Sequence, residues 1–176
     1  VLYLDLDGFK WVNDSLGHAA GDELLCGIAR RLVSNVRTVD TVARLGGDEF
    51  AVLLEDLAHP DESSIIAERI LESLREPILV NGKEVLAGAS IGVTPVKRDS
   101  ESADALLRNA DIAMYVAKRQ GRGQMVLYSD GMDAATRQMS KLSHLTGQPH
   151  PGRELLATQL LDICGYANTG RVLFNT

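Results

Sequence analysis

Cysteine is scarce. Cys26 and Cys164 are the two in 176 residues, far apart and outside any CxxC or short Cys/His spacing. That argues against a disulfide framework and against a structural zinc site, and a reducing compartment fits. Positive charge is short as well, with 18 Lys and Arg against 24 Asp and Glu and a formal net charge of −6. Non-specific binding to nucleic acid or to an anionic membrane needs a basic face, so both partners are set aside. A phosphorylated small ligand stays open, because a few placed cations or a metal suffice for it. No apolar run approaches the roughly 20 residues of a membrane span, and no signal peptide is present. There is no GxxxxGK[ST] and no GxGxxG after a strand. His18 has no Ser or Cys placed beside it for a nucleophilic triad. Internal repeats and low-complexity tracts are absent. The expected setting is cytoplasmic, or the cytoplasmic portion of a membrane-anchored parent, and the opening on Val1 within an apolar run suggests a piece of a longer polypeptide.

What is there is an ordinary globular composition, 45% hydrophobic and 24% charged. At about 150 residues per domain the length gives one domain with roughly 40 residues to spare. Residues 1–6 (VLYLDL) read as a strand ending on a carboxylate. Over 22–36, Leu24, Leu25, Ile28, Leu32, Val33 and Val36 keep helical spacing. Strand-like runs at 41–44 and 50–55 flank Gly46-Gly47 as in a hairpin, and Asn81-Gly82 between 78–80 and 84–86 predicts another. A helix over 63–74, a strand over 90–94, a helix over 103–120 stopped by Gly121 or Gly123, and a strand over 125–128 complete the set. Strands joined by tight turns are antiparallel, so the expected class is α+β: a mainly antiparallel sheet with packed helices, not a doubly wound parallel one. Residues 1–128 make this domain. Residues 129–176 read as a linker and tail, with an exposed helix over 131–145, an irregular GQPHPG at 147–152 and an apolar helix over 154–164.

Three clusters carry chemistry. Asp5 and Asp7 point to the same side of the first strand, since side chains alternate with period two. The hairpin turn Gly46-Gly47-Asp48-Glu49 brings further acids. If they approach the first pair, like charges ~4 Å apart repel by about 4 kcal/mol at an effective dielectric near 20, which a hard cation removes. Lys118 and Arg122 lie one helical turn apart and suit phosphates. Taken singly, these are also what a solvated strand end, a plain turn and a charged helix face look like.

The motifs LDLDGFKWVNDSLGHAAGDELL, ARLGGDEFAVLL, SIGV and ADIAMYVAKRQGRG, in that order from about Val1 to Tyr128, resemble the GGDEF family of diguanylate cyclases. The resemblance implies the ferredoxin-like palm of nucleotidyl cyclases, in agreement with the strands read above. It implies a Mg²⁺-dependent reaction, with Mn²⁺ as a substitute ion, that condenses two GTP into cyclic di-GMP and two pyrophosphates in bacterial second-messenger signalling. Each site attacks the α-phosphate with its partner's 3′-oxygen, so a homodimer is implied.

By the same resemblance Asp5 and Asp48 are metal carboxylates, with the Leu6 carbonyl a further ligand. Glu49 is similar to the acid that helps deprotonate the attacking hydroxyl. Asn13 and Asp22 match the pair that reads the guanine edge, with Phe9 lining the pocket. Lys10, Gly46, Gly47, Lys118 and Arg122 match the triphosphate contacts. Arg37-Thr38-Val39-Asp40 stands ahead of Gly46-Gly47 at the spacing of the RxxD product-inhibition site, where cyclic di-GMP is the inhibitor, and Arg69 is a weaker addition. Rival readings are an inactive regulatory module that binds GTP or cyclic di-GMP, and an inactive fragment of a cyclase or of a tandem GGDEF-EAL protein. The family's upstream DxLTGLxNR segment has no counterpart here, and Leu145-Thr146-Gly147 lacks its leading Asp and trailing Asn-Arg. Apolar surface on the sheet and on the 22–36 helix is therefore expected to be exposed.

Overall fold

Leu2, Leu4 and Leu6 turn to one face of the first strand, and Tyr3, Asp5 and Asp7 to the other. That alternation organises the molecule. The computed structural model describes residues 1–59, 61–96 and 102–132, with the backbone of 172–173. The elements are β1 (Leu2–Asp7), α1 (Phe9–Leu16), α2 (His18–Ser34), β2 (Thr41–Gly46), β3 (Glu49–Leu53), α3 (Glu62–Leu74), β4 (Ile78–Val80), β5 (Lys83–Val85), β6 (Gly88–Val93), α4 (Ala103–Arg119), β7 (Met125–Leu127) and β8 (Val172–Leu173). The main sheet runs β7-β6-β1-β3-β2-β8, and β4-β5 form a separate hairpin. β1 pairs antiparallel with β3 and β6, β2 antiparallel with β3, and only the outer β7 and β8 pair in parallel. The inner order β6-β1-β3-β2 is the ferredoxin-like arrangement, in which β3 inserts between the two strands of a split βαβ unit.

The leucine face of β1 packs under α2 and α3. Leu2, Leu4, Leu24, Ile28, Leu32, Phe50, Val52, Ile70 and Ile91 are nearly inaccessible there, and burying each such side chain contributes about 1.5–3 kcal/mol. On the other face, Tyr3 packs with Leu107, Ala110 and Met114 of α4. The close approach of α4 depends on Gly92. A Cβ at that position would stand 1.8 Å from the Ala110 carbonyl oxygen and 2.4 Å from the Met114 amide nitrogen.

The helix expected over 22–36 is α2, which starts four residues earlier, at His18, and ends at Ser34; a further helix, α1, precedes it from Phe9 to Leu16 across a break at Gly17 (φ 86°, ψ 161°). α1 escaped the periodicity reading because it buries only Phe9 and Val12 in eight residues, too short a stretch to show a helical repeat. The Asn81-Gly82 turn has positive φ at both residues (49° and 74°), as its hairpin requires. Glu23 of α2 accepts the Asn81 N–H at 2.8 Å, and the Arg31 guanidinium donates to the carbonyls of Ser73, Glu76 and Pro77, so α2 pins the hairpin and the end of α3. The elements expected over 131–145, 147–152 and 154–164, and Cys164, lie outside the described residues, save the turn at 131–132.

Candidate active site

The β1–β3 register sets Asp5 opposite Glu49, and the Leu6 N–H donates to the Asp48 carbonyl at 3.2 Å. Backbone pairing alone thus brings Asp5, Leu6, Asp48 and Glu49 to one end of the sheet. The turn between β2 and β3 is irregular, with a shift in register between Arg44 and Gly46 and with Gly47 at φ 52°. Such bulges re-aim the side chains that follow. The Arg44 guanidinium steadies this turn, donating from Nε (3.0 Å) and Nη2 (2.8 Å) to the Gly47 carbonyl.

Asp5 is 8% exposed. Its carboxyl is pushed up to about 6, first by burial and then by the charges of Asp48 and Glu49, against the pull of Lys118. The Lys118 ammonium sits 2.6 Å from Asp5 Oδ1. Tyr3, on the same face, has its phenol held well above the usual range by burial, by the charge of Glu49 and by the hydrogen bond it donates to Glu49. Two residues further along β1, Asp7 faces Arg122, with Nε 3.8 Å from Oδ1. Two of the three cations expected to contact phosphate, Lys118 and Arg122, therefore stand against the two acids of β1.

The expected base-reading residues lie on two helices that pack together, Asn13 on α1 and Asp22 on α2. A Cβ on Gly21 would lie 1.9 Å from Asn13 Oδ1 and 3.2 Å from Phe9 Cζ, so the glycine that precedes Asp22 makes room for both. Asp22 and Lys10 are exposed. Phe9 also lines an open pocket of about 170 Å³, whose other walls include Leu6, Trp11, Val12, Leu24 and Leu86. Asn13 and Asp22 are not among its lining residues.

Arg37 and Asp40 precede β2, at the other end of that strand from Gly46, which puts Asp40 roughly 20 Å from it at about 3.3 Å per residue. Asp40 is only 3% exposed. Its Oδ2 accepts the Arg37 N–H at 2.7 Å and its Oδ1 the Glu55 N–H at 3.0 Å, while the exposed Arg37 guanidinium reaches Glu62 at 3.5 Å. Arg69 donates to the Asn35 carbonyl close by. Asp40 thus builds the turn that presents Arg37.

Among the described residues, no three His, Cys, Asp or Glu side chains converge to close a metal site on their own. The oxygen donors of Asp5, Asp48 and the Leu6 carbonyl still fit a hard divalent ion, because Mg²⁺ usually keeps several waters and takes one or two carboxylates plus substrate phosphates. Burial together with the repulsion that lifts Asp5 is what such an ion would relieve.

Residues 1–124 match the family model described as "Diguanylate cyclase, GGDEF domain". The chain belongs to the GGDEF family. It is 49% identical over 124 residues to the diguanylate cyclase TpbB of Pseudomonas aeruginosa, covering 70% of this chain and 28% of that protein. It is 41% identical over 156 residues to MucR, a bifunctional diguanylate cyclase/cyclic di-GMP phosphodiesterase of the same species, covering 89% of this chain and 23% of that protein. The chain thus spans about a quarter of the length of these curated relatives. A solved GGDEF domain of TpbB superposes with a TM-score of 0.74 at 44% identity, covering 77% of this chain and 80% of that one. The GGDEF domain of DgcB from Caulobacter crescentus, solved in complex with c-di-GMP, gives 0.61 at 27% identity, covering 72% and 75%. Membership in the GGDEF family implies a divalent metal, and the α+β palm expected from the sequence is the observed fold. Among the described residues no helix is long and apolar enough to cross a membrane.

Three side chains that touch the expected site were not read from the sequence: Tyr3, Arg44 and Ser90, whose Oγ donates to the Asp7 carboxylate at 3.0 and 3.2 Å. Tyr3 could have been found, since period two puts it on the face of Asp5. Arg44 and Ser90 act through contacts that only the turn and the sheet register create.

Proposed function

We propose that residues 1–128 form a diguanylate cyclase domain that condenses two GTP into cyclic di-GMP with release of two pyrophosphates. The observation that carries this reading is the register placing Asp5 opposite Glu49 while Leu6 bonds to Asp48, with Lys118 closing the cluster. Asp5, Asp48 and the Leu6 carbonyl would hold Mg²⁺ or Mn²⁺, which when bound neutralises phosphate charge and lowers the pKa of the attacking hydroxyl. Glu49, held by Tyr3, serves as base for the 3′-hydroxyl. Lys10, Lys118, Arg122 and the amides of Gly46 and Gly47 bind the triphosphate. Asn13 and Asp22 hydrogen-bond the guanine edge, so adenine, which lacks the matching groups, is rejected.

Each GTP offers one 3′-oxygen and one α-phosphate, so two domains must face each other as a homodimer. Cyclic di-GMP binds back at Arg37, on the turn built by Asp40, and inhibits. Residues 129–176 act as linker and tail, and the setting is the cytoplasmic side of bacterial second-messenger signalling.

The test is incubation of the chain with GTP and Mg²⁺, with products separated by chromatography. Cyclic di-GMP that disappears with Asp48→Ala supports the reading. GTP left intact by a chain that still binds it overturns the cyclase reading in favour of a regulatory module.

A further inference from the structure

We propose that Asp7 is a positioning residue that holds the loop after α4 and, through it, sets Arg122 beside the substrate's phosphates. Asp7 shares a face of β1 with Asp5, but the family resemblance assigns it no role, and its surroundings supply one. The side chain is 13% exposed. Ser90 Oγ donates to its two oxygens at 3.0 and 3.2 Å, and the Gly123 N–H donates to Oδ2 at 3.0 Å.

The loop it holds has an unusual backbone. Gly121, Arg122 and Gly123 all have positive φ, at 127°, 62° and 62°. For Arg122, which carries a Cβ, that conformation persists only where neighbours fix it. The Gly123 N–H points back to β1 and meets the carboxylate of Asp7. The Arg122 N–H is taken from the other side by the Ala117 carbonyl at 3.2 Å, which closes the end of α4. Arg122 is therefore clamped between its own helix and β1.

Lys118 and Arg122 are not one helical turn apart as their spacing suggested: α4 ends at Arg119, and Arg122 lies in the loop beyond it. Asp5 and Asp7, about 6.7 Å apart on β1, still each meet one of these cations, Lys118 from the last turn of α4 and Arg122 from the loop. At 3.8 Å and largely exposed, the Arg122 pair is weak by itself. The hold on the loop backbone is what keeps the guanidinium in place.

The kinetic part of this proposal rests on the cyclase reading above, and the structural part does not. The test uses the full chain with Asp7→Asn, Asp7→Ala and Ser90→Ala. Amide exchange at Gly123 should speed at least roughly tenfold in Asp7→Ala, with the β1–β3 ladder unchanged. The KM for GTP should rise roughly tenfold with kcat within about threefold, and Asp7→Ala should add less than about twofold to Arg122→Ala. Asp7→Asn, which keeps the shape and an acceptor, should fall between the wild type and Asp7→Ala, and it serves if the alanine variant does not fold.

Unchanged exchange at Gly123 overturns the proposal. So do independent, multiplying losses in the double variant, or a fall in kcat at constant KM, which would mark Asp7 as a metal ligand. A wild-type chain that makes no cyclic di-GMP sinks the cyclase reading instead, and the exchange measurement then decides the role of Asp7 alone.

Discussion

Tyr3 donates its phenolic hydrogen to Glu49 across the β1–β3 ladder, from two residues along β1 before Asp5, which stands opposite Glu49. The acid taken as general base is thus oriented by a side chain whose ring lies in the core under α4. Tyr3→Phe removes the donor and keeps the ring. A hydrogen bond to a charged group is worth about 1.5–3 kcal/mol, so kcat should fall roughly tenfold or more while the KM for GTP stays near its wild-type value. Steady-state kinetics decide it, and an unchanged kcat would show that Glu49 needs no such partner.

Asp5 gives a pH dependence of definite sign. Its carboxyl lies at about 6 in the fold against an ordinary 3.8. Between those values the metal-free folded chain keeps a proton that the unfolded chain has lost. Stability from this group is therefore full below about pH 4 and declines as pH rises through about 6. Urea unfolding without metal should show Asp5→Asn gaining on the wild type as pH is raised from 4 to 7. Adding Mg²⁺ at pH 7 should restore the wild type and leave Asp5→Asn unmoved. Equal stabilities at all pH values would contradict the burial argument.

Gly92 tests the seat of α4. An alanine methyl would collide with the helix backbone at Ala110 and Met114, and overpacking against backbone costs typically 1–3 kcal/mol and occasionally more. Gly92→Ala should lower stability by about 3 kcal/mol in denaturant and weaken the Lys118–Asp5 pair, since that pair depends on how closely α4 lies. Retained wild-type stability would mean that the helix shifts freely over β6.

Arg37 and Asp40 should separate in their effects although they belong to one motif. Asp40→Ala strands the backbone N–H groups of Arg37 and Glu55, each costing about 1–3 kcal/mol if it remains buried. It should lower both stability and the affinity for cyclic di-GMP. Arg37→Ala removes only an exposed guanidinium whose ion pair is worth little. It should lose product inhibition with the melting temperature nearly unchanged. Calorimetric titration of both variants with cyclic di-GMP, beside thermal melts, checks the distinction.

Much of this molecule was legible in its residues, for reasons that differ by element. β1, the two hairpins and α4 announce themselves through alternation, turn glycines and a long apolar stripe. The acid cluster was legible because a strand end and a hairpin turn are short-range features. α1 was not, because two buried residues carry no period. Nor was the inward turn of Asp40, whose acceptors are used by a residue 15 positions away. The link from Asp7 to Gly123 spans 116 positions, and nothing local in either segment points to the other.

β1 carries the fold on its leucine face and the chemistry on its acid face, and this joins the two in one pairing decision. A slip of one residue against β3 or β6 would turn Asp5 and Asp7 under α2 and α3 and lift the leucines toward α4. Carboxylates buried there without cations are costly. The acids proposed for the reaction therefore also proofread the sheet: a chain that pairs its central strand wrongly is penalised at those carboxylates first.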